Sequence, residues 1–152
     1  MAEGELPALL ALTFRALMDE VHERIAAEGF DGVRPAHGFA FQFLSVRGGA
    51  GVVELGEHLG VTKQAAVQLV DELERRGYVE RRPHPSDRRA RTVVLTERGR
   101  HCIDRVVAVS AEIEQRWATL IGPGELDAVR TGLGAFVADA GTRRPVTLRP
   151  VW

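Results

Sequence analysis

One cysteine, one lysine and one tyrosine stand among 152 residues. No apolar run approaches the roughly eighteen residues of a membrane span. A lone Cys102 cannot form an internal disulfide and suits a reducing compartment. The opening stretch MAEGELPALL carries acids where a secretory signal carries bases, so the expected location is the cytoplasm. The five histidines, at 22, 37, 58, 84 and 101, form neither HExxH nor a cysteine-histidine spacing, so no metal site is expected. GGAG at 48–51 lacks the Gly-Lys-Ser/Thr ending of a phosphate loop and reads as a linker. No spacing assembles a nucleophile, a base and an orienting acid, so neither catalysis nor a cofactor is expected.

What is present is ordinary for a folded chain: 45% hydrophobic and 27% charged residues, enough for one domain over 1–152 with its own core. The formal net charge of −1 does not point to a polyanion partner, but its distribution does. Between Arg75 and Arg91 seven arginines face only Glu80 and Asp87, a local charge of +5 that leaves −6 elsewhere. Basic charge concentrated in a neutral chain focuses its field at one place, which attracts phosphates irrespective of sequence.

Apolar spacing predicts a helix over 6–28, with Leu6, Leu9, Leu10, Leu17, Val21 and Ile25 on it and Gly29 as its stop. Pro35 suits the first turn of a second helix, AHGFAFQFLSV, whose Phe39, Phe41 and Phe43 imply burial. Val53 to Leu59 is a two-turn helix. Gly60 then permits a turn and Thr62 a cap, ahead of a helix whose stripe is Ala66, Leu69, Val70 and Leu73 and whose end is Gly77. YVERR, HPSDRRA and RTVVL read as strand, turn and strand, a β-hairpin. Thr96 caps a long helix to Ile121, in which Gly99 is expected to cost little. GPG at 122–124 separates a last helix that stops near Gly141, leaving 142–152 as an extended tail. The fold class is mainly α with a small hairpin.

Short helix, glycine turn, amphipathic helix and basic hairpin is the order of a winged helix-turn-helix, here 36–96. In that arrangement the second helix of the pair enters the major groove and the hairpin follows the backbone. The apolar stripe faces inward, so Lys63, Gln64, Val67, Gln68 and Asp71 face out. Glutamine pairs bidentately with adenine, which makes Gln64 and Gln68 candidate base readers. Lys63 and the Thr62 hydroxyl, at a helix N-terminus, suit phosphate or base contacts. In the hairpin, Arg88, Arg89 and Arg91 are the candidate DNA contacts.

The segment ELGEHLGVTKQAAVQLVDELERRGYVERRPHPSDRRARTVVLTERGR resembles the MarR family of bacterial transcriptional regulators. Asp87, Arg89 and Val93, followed by LTERG, fit that family's wing signature. The resemblance implies a homodimer built from helices over 6–28 and 97–141. It also implies double-stranded DNA with a near-palindromic operator as partner, and a role as repressor or sometimes activator. It assigns Arg89 to the minor groove and Asp87, facing inward, to bracing the wing. TKQ stands where many members begin the reading helix with serine, and HP where an acid often precedes the proline, so sequence preference is left open.

The family also implies a small aromatic or anionic effector held between the dimerisation helices and the DNA-binding lobe. Arg15, His22, His37 and Phe41 are the candidate pocket residues, although core packing accounts better for the phenylalanines. Cys102 is either a thiol sensor, with His101 and Arg105 beside it, or a small core hydrophobe. The alternative to a DNA-binding regulator is a winged-helix module that binds another polypeptide without specific DNA binding.

Overall fold

The computed structural model describes residues 4–144. Its elements are α1 (Leu6–Ala27), α2 (Pro35–Arg47), α3 (Val52–Leu59), α4 (Lys63–Arg75), β1 (Val79–Pro83), β2 (Arg91–Leu95), α5 (Glu97–Ile121) and α6 (Pro123–Arg143). The fold is mainly α with a β-hairpin, as the sequence predicts. The last helix runs two residues past Gly141, Arg144 is extended, and residues 145–152 of the expected tail lie outside the described residues. The chain divides into two compact units. One holds residues 32–105, the other residues 4–31 and 106–144, with α5 beginning in the first and ending in the second.

In the unit of residues 32–105, punctuation is set by backbone chemistry. Pro35 occupies the first turn of α2, and the Arg34 backbone N–H donates to His37 Nδ1 at 3.1 Å, half of a capping box. Gly48, with φ +72°, ends that helix in the left-handed region. Thr62 Oγ1 accepts from the Ala65 N–H at 3.2 Å and opens α4. Between α3 and α4 the approach is close: a Cβ on Gly56 would lie 3.0 Å from that of Ala66. Leu55 and Leu59 of α3 bury against the unit's core with Ala66, Val70 and Leu73 of α4. Leu69 is only half-buried at the edge of that stripe.

The two strands pair antiparallel from Val79 opposite Leu95 to Pro83 opposite Arg91. Because side chains alternate across a strand, Val79, Arg81, Val93 and Leu95 share the inner face. Ala50 adds a third, one-residue rung, exchanging hydrogen bonds with Val93 at 2.8 and 3.0 Å. GGAG therefore does more than link α2 to α3. Tyr78, fully buried at the foot of the hairpin, sets its ring 5.5 Å from that of Phe41, and Arg98 lies over its face.

Thr96 caps α5, its Oγ1 accepting from the Gly99 N–H at 3.1 Å and donating to the Gly77 carbonyl at 2.6 Å. This presses the first turn of α5 onto the Gly77–Tyr78 backbone. A Cβ on Gly99 would sit 2.2 Å from the Tyr78 oxygen, and backbone cannot move aside as a side chain can. Gly99 is therefore demanded by close approach, contrary to the expectation that it costs little.

In the unit of residues 4–31 and 106–144, Val21, Ile25, Val109, Ile113 and Leu126 are buried. Arg116 pairs with Glu20, Arg24 with Glu112, and Arg130 with both Glu114 and Asp127. Much apolar surface is left exposed on all three helices, including Leu12, Leu120 and Phe136, the last 71% exposed. We expect Gly99→Ala to destabilise the protein by about 1–3 kcal/mol, the usual cost of overpacking. Thermal unfolding of that variant checks it; an unchanged midpoint would refute the close approach.

Candidate nucleic-acid interface

The outer face of α4 presents Lys63, Gln64 and Gln68 exposed to solvent, with Val67 half-buried among them. Thr62 is exposed at the helix start and its oxygen is engaged as the cap. A hydroxyl that accepts from the backbone retains its own proton to donate outward. The expected readers thus lie on one surface, beside the positive end of a helix dipole.

The hairpin tip is built by short-range hydrogen bonds. The His84 N–H donates to the Ala90 carbonyl at 3.0 Å, and the Ala90 N–H to that of Asp87 at 3.1 Å. Asp87 Oδ1 accepts from the Arg89 N–H at 2.9 Å, and His84 Nδ1 from the Ser86 N–H at 3.2 Å. Asp87 holds the backbone of Arg89, but from an exposed position and not facing inward as expected. The carboxylate belongs to a turn of its own making, an Asx turn, and needs no core to work against.

The local charge of +5 is unevenly available. Arg76 approaches Glu72 at 3.5 Å, and Arg82 pairs with Glu80. Arg81 donates to Asp71 at 2.6 Å and to Glu74, and its backbone N–H donates to Glu74 at 3.0 Å. Burial pulls the Arg81 guanidinium down, and the bonds to Asp71 and Glu74 outweigh it and hold it protonated more firmly than usual. Over 71–91 the count is seven arginines against five acids, a surplus of two. Arg88, Arg89 and Arg91 are exposed and make no ion pair among the described residues. Sequence reasoning counted Arg81 as field only; the signal for its other role was the strand alternation that puts it level with Val79.

The four expected pocket residues fall in different units. His37 and Phe41 lie one turn apart on α2, both buried, and Phe41 is spent on Tyr78. His37 accepts from the Arg34 backbone at Nδ1 and hydrogen-bonds the Gly32 backbone, a local clasp on the entry to α2. Burial, and then the Arg34 charge, push its imidazole down to about 4, against a weaker pull from Glu72 at 3.7 Å. A cleft of about 310 Å³ beside it is lined by Arg34, Gln68, Leu69 and Glu72. Arg15, in the other unit, is exposed and lies 3.9 Å from Asp19. His22, half-buried there, is lowered by burial against the opposing charge of Asp19. Burial likewise pushes the Cys102 thiol up to about 11, partly offset by Arg98, so it is a protonated core side chain.

A sequence model described as the MarR family matches residues 31–90. The transcriptional repressor MprA of Escherichia coli is 37% identical over 68 residues, 44% of this chain and 39% of that protein. The chain spans 66% of the length of uncharacterised mycobacterial relatives to which it is 29% identical over 62% of its own. Among solved structures, E. coli MarR in its apo form superposes with a TM-score of 0.69 at 20% identity, over 87% of this chain and 96% of that one. Staphylococcus aureus MepR, solved as a point mutant bound to an oligodeoxyribonucleotide, gives 0.62 at 15% identity, over 89% and 97%. At such identities these likenesses speak to the fold. No helix among the described residues is long and apolar enough to cross a membrane.

His37 carries a pH dependence whose sign is fixed. Its folded value of about 4 lies below the ordinary 6.5, so between these the unfolded chain binds more protons and stability rises with pH. Stability should be complete above pH 6.5 and fall by up to about 3 kcal/mol as pH drops toward 4. Denaturation followed across that window checks this, and His37→Asn should flatten the slope; an equal slope in both would assign it elsewhere.

Proposed function

We propose that the chain is a member of the MarR family of winged-helix regulators, and that it is a homodimeric, sequence-specific DNA-binding transcriptional regulator, non-enzymatic and cytoplasmic. The observation that carries the reading is the pairing, within one unit, of an exposed reading face on α4 with three arginines at the hairpin tip that have no ion pair among the described residues. The first supplies hydrogen bonds to base edges in the major groove. The second supplies cations for phosphates and for the narrow, strongly negative minor groove. In this reading Arg89 is the minor-groove probe, its backbone set by Asp87, and Arg88 and Arg91 contact phosphate. Residues 36–96 are the DNA-binding lobe. The name of MprA and the oligodeoxyribonucleotide bound to MepR support a repressor acting on DNA.

The dimer is inferred from the apolar surface of α1, the second half of α5 and α6. Leu6, Leu9, Leu12, Leu120, Phe136 and Val137 are exposed there, and exposed apolar area on this scale marks an interaction site. A groove of about 790 Å³ lined by Leu17, Ile113, Trp117 and Leu120 runs along the same unit. A two-fold axis then demands a near-palindromic operator with half-sites about 10 base pairs apart. Relief of repression by a small aromatic or anionic effector belongs to the same proposal, with Arg15, His22, His37 and Phe41 as the residues to vary first.

Arg89→Ala should weaken binding to a cognate duplex about tenfold and leave the oligomer intact, measured by fluorescence anisotropy and sedimentation. Unchanged affinity would remove the wing from the mechanism. Binding should also fall steeply with salt as counterions are released, which a polypeptide partner need not show. Phe136→Asp should convert the dimer to a monomer by sedimentation; a dimer of undiminished stability would place the interface elsewhere.

A further inference from the structure

Arg81 sits in the basic segment without sharing the situation of the tip arginines. Strand alternation sets it on the inner face of β1, opposite buried Val93 and two residues from buried Val79. Its side chain is about one quarter exposed, against nearly two thirds for Arg82 next to it. From that inward position one planar guanidinium spans two carboxylates of α4, Asp71 at 2.6 Å and Glu74, while the Arg81 backbone N–H takes a further bond to Glu74 at 3.0 Å. Three hydrogen bonds join the stalk of the hairpin to the helix that precedes it.

The position of the acceptors gives this a direction. Gln64, Gln68 and Asp71 stand at i, i+4 and i+7 on α4, which is one stripe of a helix. The guanidinium is therefore tied to the same stripe that carries the two candidate base readers. Between α4 and β1 the chain passes through Gly77 at φ +77°, a residue with no side chain to restrict the angle at which the hairpin leaves. A fork of fixed geometry across the turn restricts what the glycine leaves free. The same contact neutralises Asp71, whose bare carboxylate would otherwise face a polyanion.

We propose that Arg81 is a positioning residue for DNA recognition: by bridging Asp71 and Glu74 it fixes the angle between wing and reading helix, so that both engage one duplex in a single register. The inference rests on the DNA-binding reading above. Arg81 itself touches neither base nor phosphate. Lysine cannot replace it, since a single ammonium has no planar fork to span both acceptors.

The test uses full-length protein, a duplex selected by the wild type from a randomised pool, and poly(dI-dC) as random DNA. The quantity read is the ratio of the two affinities, in which general charge effects cancel. Arg81→Gln and Asp71→Ala should each lower that ratio, by about fivefold for Arg81→Gln. The double variant should lose no more than Arg81→Gln alone, because the Asp71 contact is already absent once the guanidinium is gone. The salt slope should stay that of the wild type. Amide hydrogen exchange in β1 and β2 should quicken in both single variants, with folding cooperative as before.

A constant ratio with a salt slope reduced by about 1 on Arg81→Gln would make Arg81 a phosphate contact and overturn the proposal. A ratio lowered by Arg81→Gln but not by Asp71→Ala would make it a base reader, which also overturns it. If the wild type selects no duplex, the DNA-binding reading fails by itself. Hairpin exchange then decides whether Arg81 positions the wing at all, and unchanged exchange in both variants refutes that.

Discussion

The seating of Tyr78 is the contact on which the wing depends. Its N–H donates to the Leu73 carbonyl at 2.9 Å, closing α4, and its own carbonyl accepts from the Thr96 N–H at 3.1 Å, opening α5. Its ring meets Phe41 of α2 and lies under Arg98 of α5. One buried residue thus ends the reading helix, begins the strand and receives the next helix. The demand for glycine at 99 follows, because two backbones meet where a methyl group would not fit. Displacing Tyr78 would release the hairpin, its register and the capped start of α5 together.

A second constraint is the apportioning of charge. Seven arginines in seventeen residues would repel one another and hold the hairpin stalk away from α4 were they all free. The acids of α4 take up those near the fold: Glu72 meets Arg76, and Asp71 and Glu74 meet Arg81. Arg88, Arg89 and Arg91, which make no ion pair among the described residues, sit at the tip, where solvent screens them from the rest of the protein and where a polyanion would reach them. Cationic surface and stable stalk coexist because the two sets of arginines occupy different ends of one hairpin.

Local rules made much of this legible. The stripe of α4, the cap at Thr62, the stop at Gly77 and the hairpin with its turn each follow from residues within a few positions of one another. Long-range pairing was not legible in the same way. Ala50 bonds Val93 across forty-three positions, Gly99 meets Tyr78 across a whole hairpin, and Arg81 finds Asp71 only after the chain has reversed. His37 has a local role that the pocket reading left out: it satisfies its own helix entrance three residues away. The exposed Asp87 repeats that lesson, since a local turn supplied the bracing for which burial had been assumed.

The hairpin tip contributes nothing to the core. Residues 84–89 are all exposed, and the hydrogen bonds that shape the loop are internal to it. Substitutions there leave Tyr78, Val93 and the α4 stripe untouched, so they cost little stability. The foot of the hairpin, by contrast, tolerates almost no change. A lineage of such proteins can therefore vary what the tip meets while inheriting the same foot, acquiring new preferences without first crossing a loss of folding.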